Sequence, residues 1–172
     1  MKKILGAVTA SLLLAGTASA GPTDTQTVTG TVGAAVDITV DNTAALSPLS
    51  APAASIGTTT LTVNSTDAYT VSVKSTQATM TMHDGTNYVP GTFLNDPLSA
   101  VAVAAGEGST TTAEGTPSAQ RAVGTSDQVL FTGTQAESNG LIQVDYSQPV
   151  DWGTPAGDYQ IDLTYTIAVS GV

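Results

Sequence analysis

The chain of 172 residues carries fourteen Asp and Glu against four Lys and Arg, with one histidine and no cysteine. Its net charge of −10 at pH 7 repels nucleic acid and disfavours docking on anionic lipid. Without cysteine there are no disulfides, no thiol chemistry and no iron–sulfur or cysteine-based zinc sites, so packing and strand pairing must hold the fold.

Residues 1–20 read as an export signal. Lys2 and Lys3 form a positive start, residues 4–15 an apolar stretch, and Ala18-Ser19-Ala20 supplies the small residues that a signal peptidase needs before Gly21. That apolar stretch is too short to span a bilayer, which takes roughly 20 residues. No cysteine stands beside the cut to carry a lipid, so the mature chain is expected to have no membrane anchor. The expected location is secreted or at the cell surface: extracellular, or periplasmic in a cell with two membranes. Removing residues 1–20 leaves 152 residues, with Lys74 and Arg121 as the only cations and a net charge of −12. Such a length suits one domain. Only 10% of the chain is charged, so Thr, Ser, Gln and Asn must build the polar surface, which favours a β protein.

From residue 28 the even positions run Val28, Gly30, Val32, Ala34, Val36, Ile38 and Val40, with mostly Thr between them. A period of two predicts a strand. The run exceeds the usual strand length, so a bend near Gly33 is expected to divide an N-terminal arm, residues 26–32, from a second strand. The chain thus divides into a signal (1–20), an arm segment (21–33) and a sandwich domain (34–172). Residues 44–56, with Pro48 and Pro52, read as an irregular crossing between sheets. Residues 59–63 and 68–74 alternate on either side of Asn64-Ser65-Thr66-Asp67 and predict a hairpin. Met80 and Met82 lead into Asp84-Gly85, a second hairpin signal, with a return strand that Pro90 and Gly91 end.

Residues 98–104 predict a strand with Val101 and Val103 inward, and residues 106–120, poor in apolar side chains, an exposed mobile loop. Three strands are expected to follow, at 128–132, 141–146 and 159–169. The last alternates best: Tyr159, Ile161, Leu163, Tyr165, Ile167 and Val169 face one way, and Gln160, Asp162, Thr164, Thr166 and Ala168 the other. Eight to ten strands and no helical period predict an all-β fold, a single antiparallel β-sandwich of immunoglobulin-like or jelly-roll type.

Little in the chain points to catalysis. His83, the single histidine, adjoins a turn beside Asp84 and has no assignable serine or second base. The acids sit on polar strand faces (Asp37, Asp162) or in turns (Asp67, Asp84, Asp96, Asp158). Asp145, Asp151 and Asp158 bracket the final turn region and are the set from which a calcium site would be drawn. There is no Asp-x-Asp-x-Asp-Gly loop, and no cofactor or metal is expected. Lys74 reads as a solvated charge at a strand edge, and as the only mature lysine it permits at most one isopeptide bond to an asparagine. Asn64-Ser65-Thr66 is a glycosylation sequon in the expected hairpin turn. Trp152, Tyr88 and Tyr146 are the aromatics from which a glycan platform would be built, although aromatics at a sandwich end more often plug it.

Three segments together resemble a known group: the alternating arm directly after an export signal, residues 60–73 (TLTVNSTDAYTVSV), and the close at residues 155–167 (PAGDYQIDLTYTI). They look like secreted pilin-type β-sandwiches, which include bacterial matrix-fibre subunits and archaeal bundling-pilus subunits. The resemblance implies fibres in which the N-terminal strand of one subunit completes the sheet of the next. The Gly-x-Tyr opening of the last strand also occurs in WxL wall-binding domains, from which Trp152-Gly153-Thr154 departs.

The arm carries the same idea on its own. It alternates cleanly, follows a terminus freed by cleavage and precedes a glycine able to act as a hinge, so it can pair within its own sheet or with another chain. The expectation is a non-enzymatic structural protein that self-associates into a filament, matrix or coat. Val28, Val32 and Val36 would carry assembly together with Tyr159, Ile161, Leu163, Tyr165 and Ile167. The alternative is a carbohydrate-binding or adhesive surface module.

Overall fold

A computed structural model describes residues 29–41, 44–47, 49 and 51–170. The expected signal with its cleavage site and the arm residue Val28 lie outside the described residues. Val32–Val172 form one unit and Met1–Thr31 another. Residues 29–35 are exposed and contain no strand.

The described residues are all-β, with twelve strands and no helix. In chain order they are β1 (Val36–Val40), β2 (Ala54–Ser65), β3 (Tyr69–Ser75), β4 (Thr81–His83), β5 (Tyr88–Phe93), β6 (Ser99–Ala102), β7 (Gly115–Pro117), β8 (Arg121–Ala122), β9 (Gln128–Gly133), β10 (Glu137–Pro149), β11 (Tyr159–Gln160) and β12 (Leu163–Val169). They pair antiparallel throughout. One sheet has the order β1-β2-β10-β6-β8, a second β12-β3-β9-β7, and a small third β11-β4-β5.

The two large sheets form a β-sandwich-like fold because their alternation has one apolar phase. In the first, Leu61, Val63, Ile142, Val144, Ala100 and Ala102 point inward. In the second, Tyr69, Val71, Val73, Leu130 and Phe131 do so, and all join one buried cluster. Outward positions hold Thr58, Thr60, Thr62, Thr70 and Ser72, which hydrate without charge, and the cation Lys74.

The structure corrects several expectations. β2 and β3 are not a hairpin: β2 pairs with β1 and β10, β3 with β12 and β9. Alternation shows which side of each strand is buried, but two strands facing one core from opposite sheets satisfy it as well as two neighbours do. Side chains build the three-residue arch between them. The Ser65 hydroxyl donates to the Asp67 carbonyl at 2.6 Å, and the Ala68 N–H donates to Asp67 Oδ1 at 2.7 Å. Conversely, residues 44–56 join neighbours in one sheet, since β1 pairs with β2.

The Asp84-Gly85 hairpin forms. Asp84 Oδ1 accepts from the N–H groups of Thr86 and Asn87, bonds that hold its carboxyl below the usual carboxylate range, and Gly85 takes φ +93°. Pro90 and Gly91 do not end its return strand, which runs to Phe93. An edge strand tolerates proline because one side of its backbone needs no partner.

In β6 it is Ala100 and Ala102 that point inward, while Val101 and Val103 stay half-exposed. A stretch that is apolar in both phases hides its parity. Residues 106–120 are not a plain exposed loop, for they contain β7 and bury Thr111 and Ala113. The Thr111 hydroxyl donates to the Val103 carbonyl at 2.8 Å and accepts the Gln143 N–H at 3.0 Å. The final alternating run breaks at Ile161-Asp162, where the chain passes from β4 in the small sheet to β3 in the large one. Lys74 lies on β3, inside its sheet rather than at an edge, and pairs with Asp127 at 3.8 Å.

Candidate functional site at the open flank

Each large sheet ends, on the same side of the sandwich, in a strand with one partner among the described residues: β1 on β2, β12 on β3. Register assigns their faces. Val36, Ile38 and Val40 lie opposite Ser65, Val63 and Leu61, so they point inward. Leu163, Tyr165, Ile167 and Val169 lie opposite Ser75, Val73, Val71 and Tyr69, and also point inward.

Burial stops abruptly at these two strands. Leu61, Val63, Tyr69, Val71 and Val73 are 0% exposed, whereas the inward residues of β12 are only half-buried and Val40 is 42% exposed. Cα atoms of β1 and β12 approach within 8 Å, closer than the roughly 10 Å between stacked sheets, yet the two do not pair. The result is a narrow, half-buried apolar cleft with a backbone edge on either lip that is unpaired among the described residues.

The β12 lip is the better strand acceptor, as the other edges show. β8 and β11 have two residues each, β7 has three with Gly115 and Pro117, β5 contains Pro90 and Gly91, and β1 carries Asp37. These are the devices that keep sheet edges from pairing. β12 has none of them. It is seven residues long, free of charge, proline and glycine, and in unbroken register with β3.

Tyr165 anchors this strand to the opposite sheet. Its hydroxyl hydrogen-bonds the hydroxyl of Tyr146 on β10. Burial pushes the Tyr146 phenol up to about 12 and raises that of Tyr165 as well, with the Tyr146 hydroxyl adding to the latter. Both are therefore neutral at ordinary pH, and the pair forms a polar clasp between the layers.

The expected assembly residues separate into groups. Leu163, Tyr165 and Ile167 share the inward face of β12, and Val36 opens β1 across the cleft. Tyr159 and Ile161 precede that strand, with Tyr159 on β11 donating its hydroxyl to the Pro155 carbonyl at 2.8 Å. Val32 is 84% exposed and lines, with Ala35, Val36, Asn64 and Glu137, an open cavity of about 620 Å³ where the chain enters β1. Sequence reasoning missed Ile38 and Val40 as lining of the cleft, since their facing partners appear only once β1 is registered on β2.

The other candidates disperse. Tyr146 is buried and offers no platform, whereas Trp152 is 80% exposed and plugs nothing. Asn64 sits within β2, not in a turn, and its Oδ1 accepts the Asn139 N–H at 2.8 Å. Asp145 Oδ1 takes bonds from Thr58 and Gln143, both at 2.8 Å, and no metal-holding group of His, Asp and Glu occurs among the described residues. His83 accepts the Gly85 N–H at Nδ1 and meets the Tyr88 ring edge-on. No helix among the described residues is long and apolar enough to cross a membrane. The chain matches no protein-family model, no curated protein and no solved structure.

Proposed function

We propose that this is an exported, non-enzymatic structural protein, a subunit of an extracellular filament, matrix or surface coat that assembles by β-strand addition between chains. The fold is read as a pilin-type sandwich of immunoglobulin-like or jelly-roll kind, released from its signal at Gly21. One observation carries the reading: an unguarded seven-residue edge, β12, beside an apolar cleft that the described chain leaves half-covered. A strand laid beside β12 at about 4.8 Å would satisfy its free N–H and C=O groups and cover Val36, Ile38 and Val40.

The arm of a second copy suits that place. Residues 27–32 alternate Thr with Val and Gly, Gln26 precedes them, and the segment carries no charge, as β12 carries none. In a chain of net −12, two neutral strands are the segments that meet without repulsion. Deleting residues 26–32 should yield soluble monomers, and filaments seen by electron microscopy after that deletion would sink the proposal.

The exposure of Trp152 favours one second reading, contact with a glycan by ring stacking. Loss of binding on a glycan array in Trp152→Ala, with assembly intact, would mark the protein as adhesive too.

A further inference from the structure

We infer that the arm of a second copy enters antiparallel to β12 in one register, with Gly30 beside Tyr165, Val32 beside Leu163 and Val28 beside Ile167; this rests on the strand-addition reading. The register follows from length, parity and side-chain size. Residues 26–32 number seven, as do the residues of β12, so full overlap sets residue 26 beside Val169 and residue 32 beside Leu163. Directly opposed residues of an antiparallel pair share a face. In this alignment Val28, Gly30 and Val32 fall on the inward side with Ile167, Tyr165 and Leu163, and the arm threonines fall outward with Thr164, Thr166 and Ala168. The one inward arm position without a side chain then meets the bulkiest residue of β12. An aromatic ring covering a cross-strand glycine is a favourable pairing. A slip of two residues in either direction keeps the parity, but it sets Gly30 against Leu163 or Ile167 and leaves arm and edge overhanging.

Direction decides what grows. The Ala35 carbonyl accepts the Thr66 N–H at 3.0 Å, and the Ala68 carbonyl accepts the Ser170 N–H at 2.8 Å. The root of the arm and the C-terminal end of β12 therefore meet at the same three-residue arch. An arm running antiparallel to β12 leaves past Leu163, so the donor lies at the end of the acceptor remote from the acceptor's own arm root. Each copy then gives at one end and receives at the other, a head-to-tail arrangement that does not close. A parallel arm would leave at the arch, where two copies can exchange arms and close as a dimer. All ladders within the chain are antiparallel, the slightly stronger pairing.

The absence of cysteine makes a direct test clean. In the chain lacking residues 1–20, Thr31→Cys combined with Thr164→Cys places two thiols opposite each other between copies only when the arm runs antiparallel. Opposed Cβ atoms are within disulfide reach of about 4.5 Å, while pairs two residues out of register stand about 7–8 Å apart. Under mild oxidation a ladder of covalent multimers is expected on non-reducing gels. Thr31→Cys with Ala168→Cys, the pair that a fully overlapped parallel arm would align, should cross-link at least tenfold less. Preferential cross-linking of that second pair into closed dimers would overturn the inference. Filaments in which neither pair cross-links would overturn the register and leave strand addition standing. A disulfide confined to monomers, or no filament from the unsubstituted chain, would overturn both.

Discussion

The two flanks of the sandwich are built differently. On one, the connection from Leu98 to Val123 folds over the core and buries Leu98, Thr111, Ala113 and Val123. The edges it leaves, β7 and β8, are short, and one is broken by Gly115 and Pro117. On the other flank Leu163, Tyr165 and Ile167 pack on the core but remain half-buried, and Val40 is 42% exposed. A chain that spends some two dozen residues covering one side of its core and leaves the other to a bare, regular strand has the composition of a docking surface there. The closed flank serves stability, and under the proposed strand addition the open flank is where association would occur.

The largest expected effects lie on the closed side. Phe131→Ala removes a ring stacked near Tyr69, with centroids 6.3 Å apart, from a fully buried site. It should cost about 3–5 kcal/mol of unfolding free energy. Ile167→Ala at the open flank should cost only about 1–2 kcal/mol in the arm-deleted monomer, since part of that side chain is already in water. Urea unfolding of the two variants measures the difference, and equal costs would show that the flanks are alike.

The sequence revealed these flanks unequally. Period-two alternation marked β1, β2, β3 and β12 and the apolar phase of each, because that phase is local. Which strands lie side by side is not local, so Leu61 and Val71 looked like hairpin partners although they face each other across the core. The closed flank was the least legible part. Residues 106–120 hold few apolar side chains, and what ties them down is the Thr111 hydroxyl, the Thr112 and Ala113 N–H groups donating to the Leu141 carbonyl, and the short β7–β9 ladder rather than periodic burial. The open flank was legible as an alternating strand, but its half-burial depends on the absence of a neighbour, which no pattern within the strand records.

The clasp between the layers sharpens the comparison at intermediate size. Tyr165→Phe or Tyr146→Phe leaves one buried hydroxyl unpaired and should cost roughly 1–3 kcal/mol, whereas the double variant should cost less than the sum of the two. The same phenols predict a pH response. Each is raised above its unfolded value near 10, so the neutral form is favoured in the folded chain. The stability this contributes is fully present below pH 10 and is lost as pH rises through about 12, the value for Tyr146. Melting temperatures should hold up to pH 10 and then fall, less steeply in the double Phe variant. A wild-type profile flat to pH 12 would remove the clasp from the account.

The smallest expected change in stability is the most informative about association. Thr166 points outward from β12 and Thr116 outward from β7, so replacing either with Lys should alter folding by no more than about 0.5 kcal/mol. Their consequences for assembly should nevertheless diverge. A lysine on a regular edge hinders an incoming strand through desolvation and lost ladder geometry. Thr166→Lys should therefore raise the critical concentration for filaments severalfold, read by light scattering, while Thr116→Lys leaves it unchanged, because Gly115 and Pro117 already prevent pairing at β7. Net charge argues in the same direction as a control: either lysine lowers the repulsion between chains of net −12, which by itself would favour assembly. A rise confined to Thr166→Lys thus opposes the electrostatic trend and locates the contact at the β12 edge. A fall in both variants would mean that charge, not strand pairing, limits association.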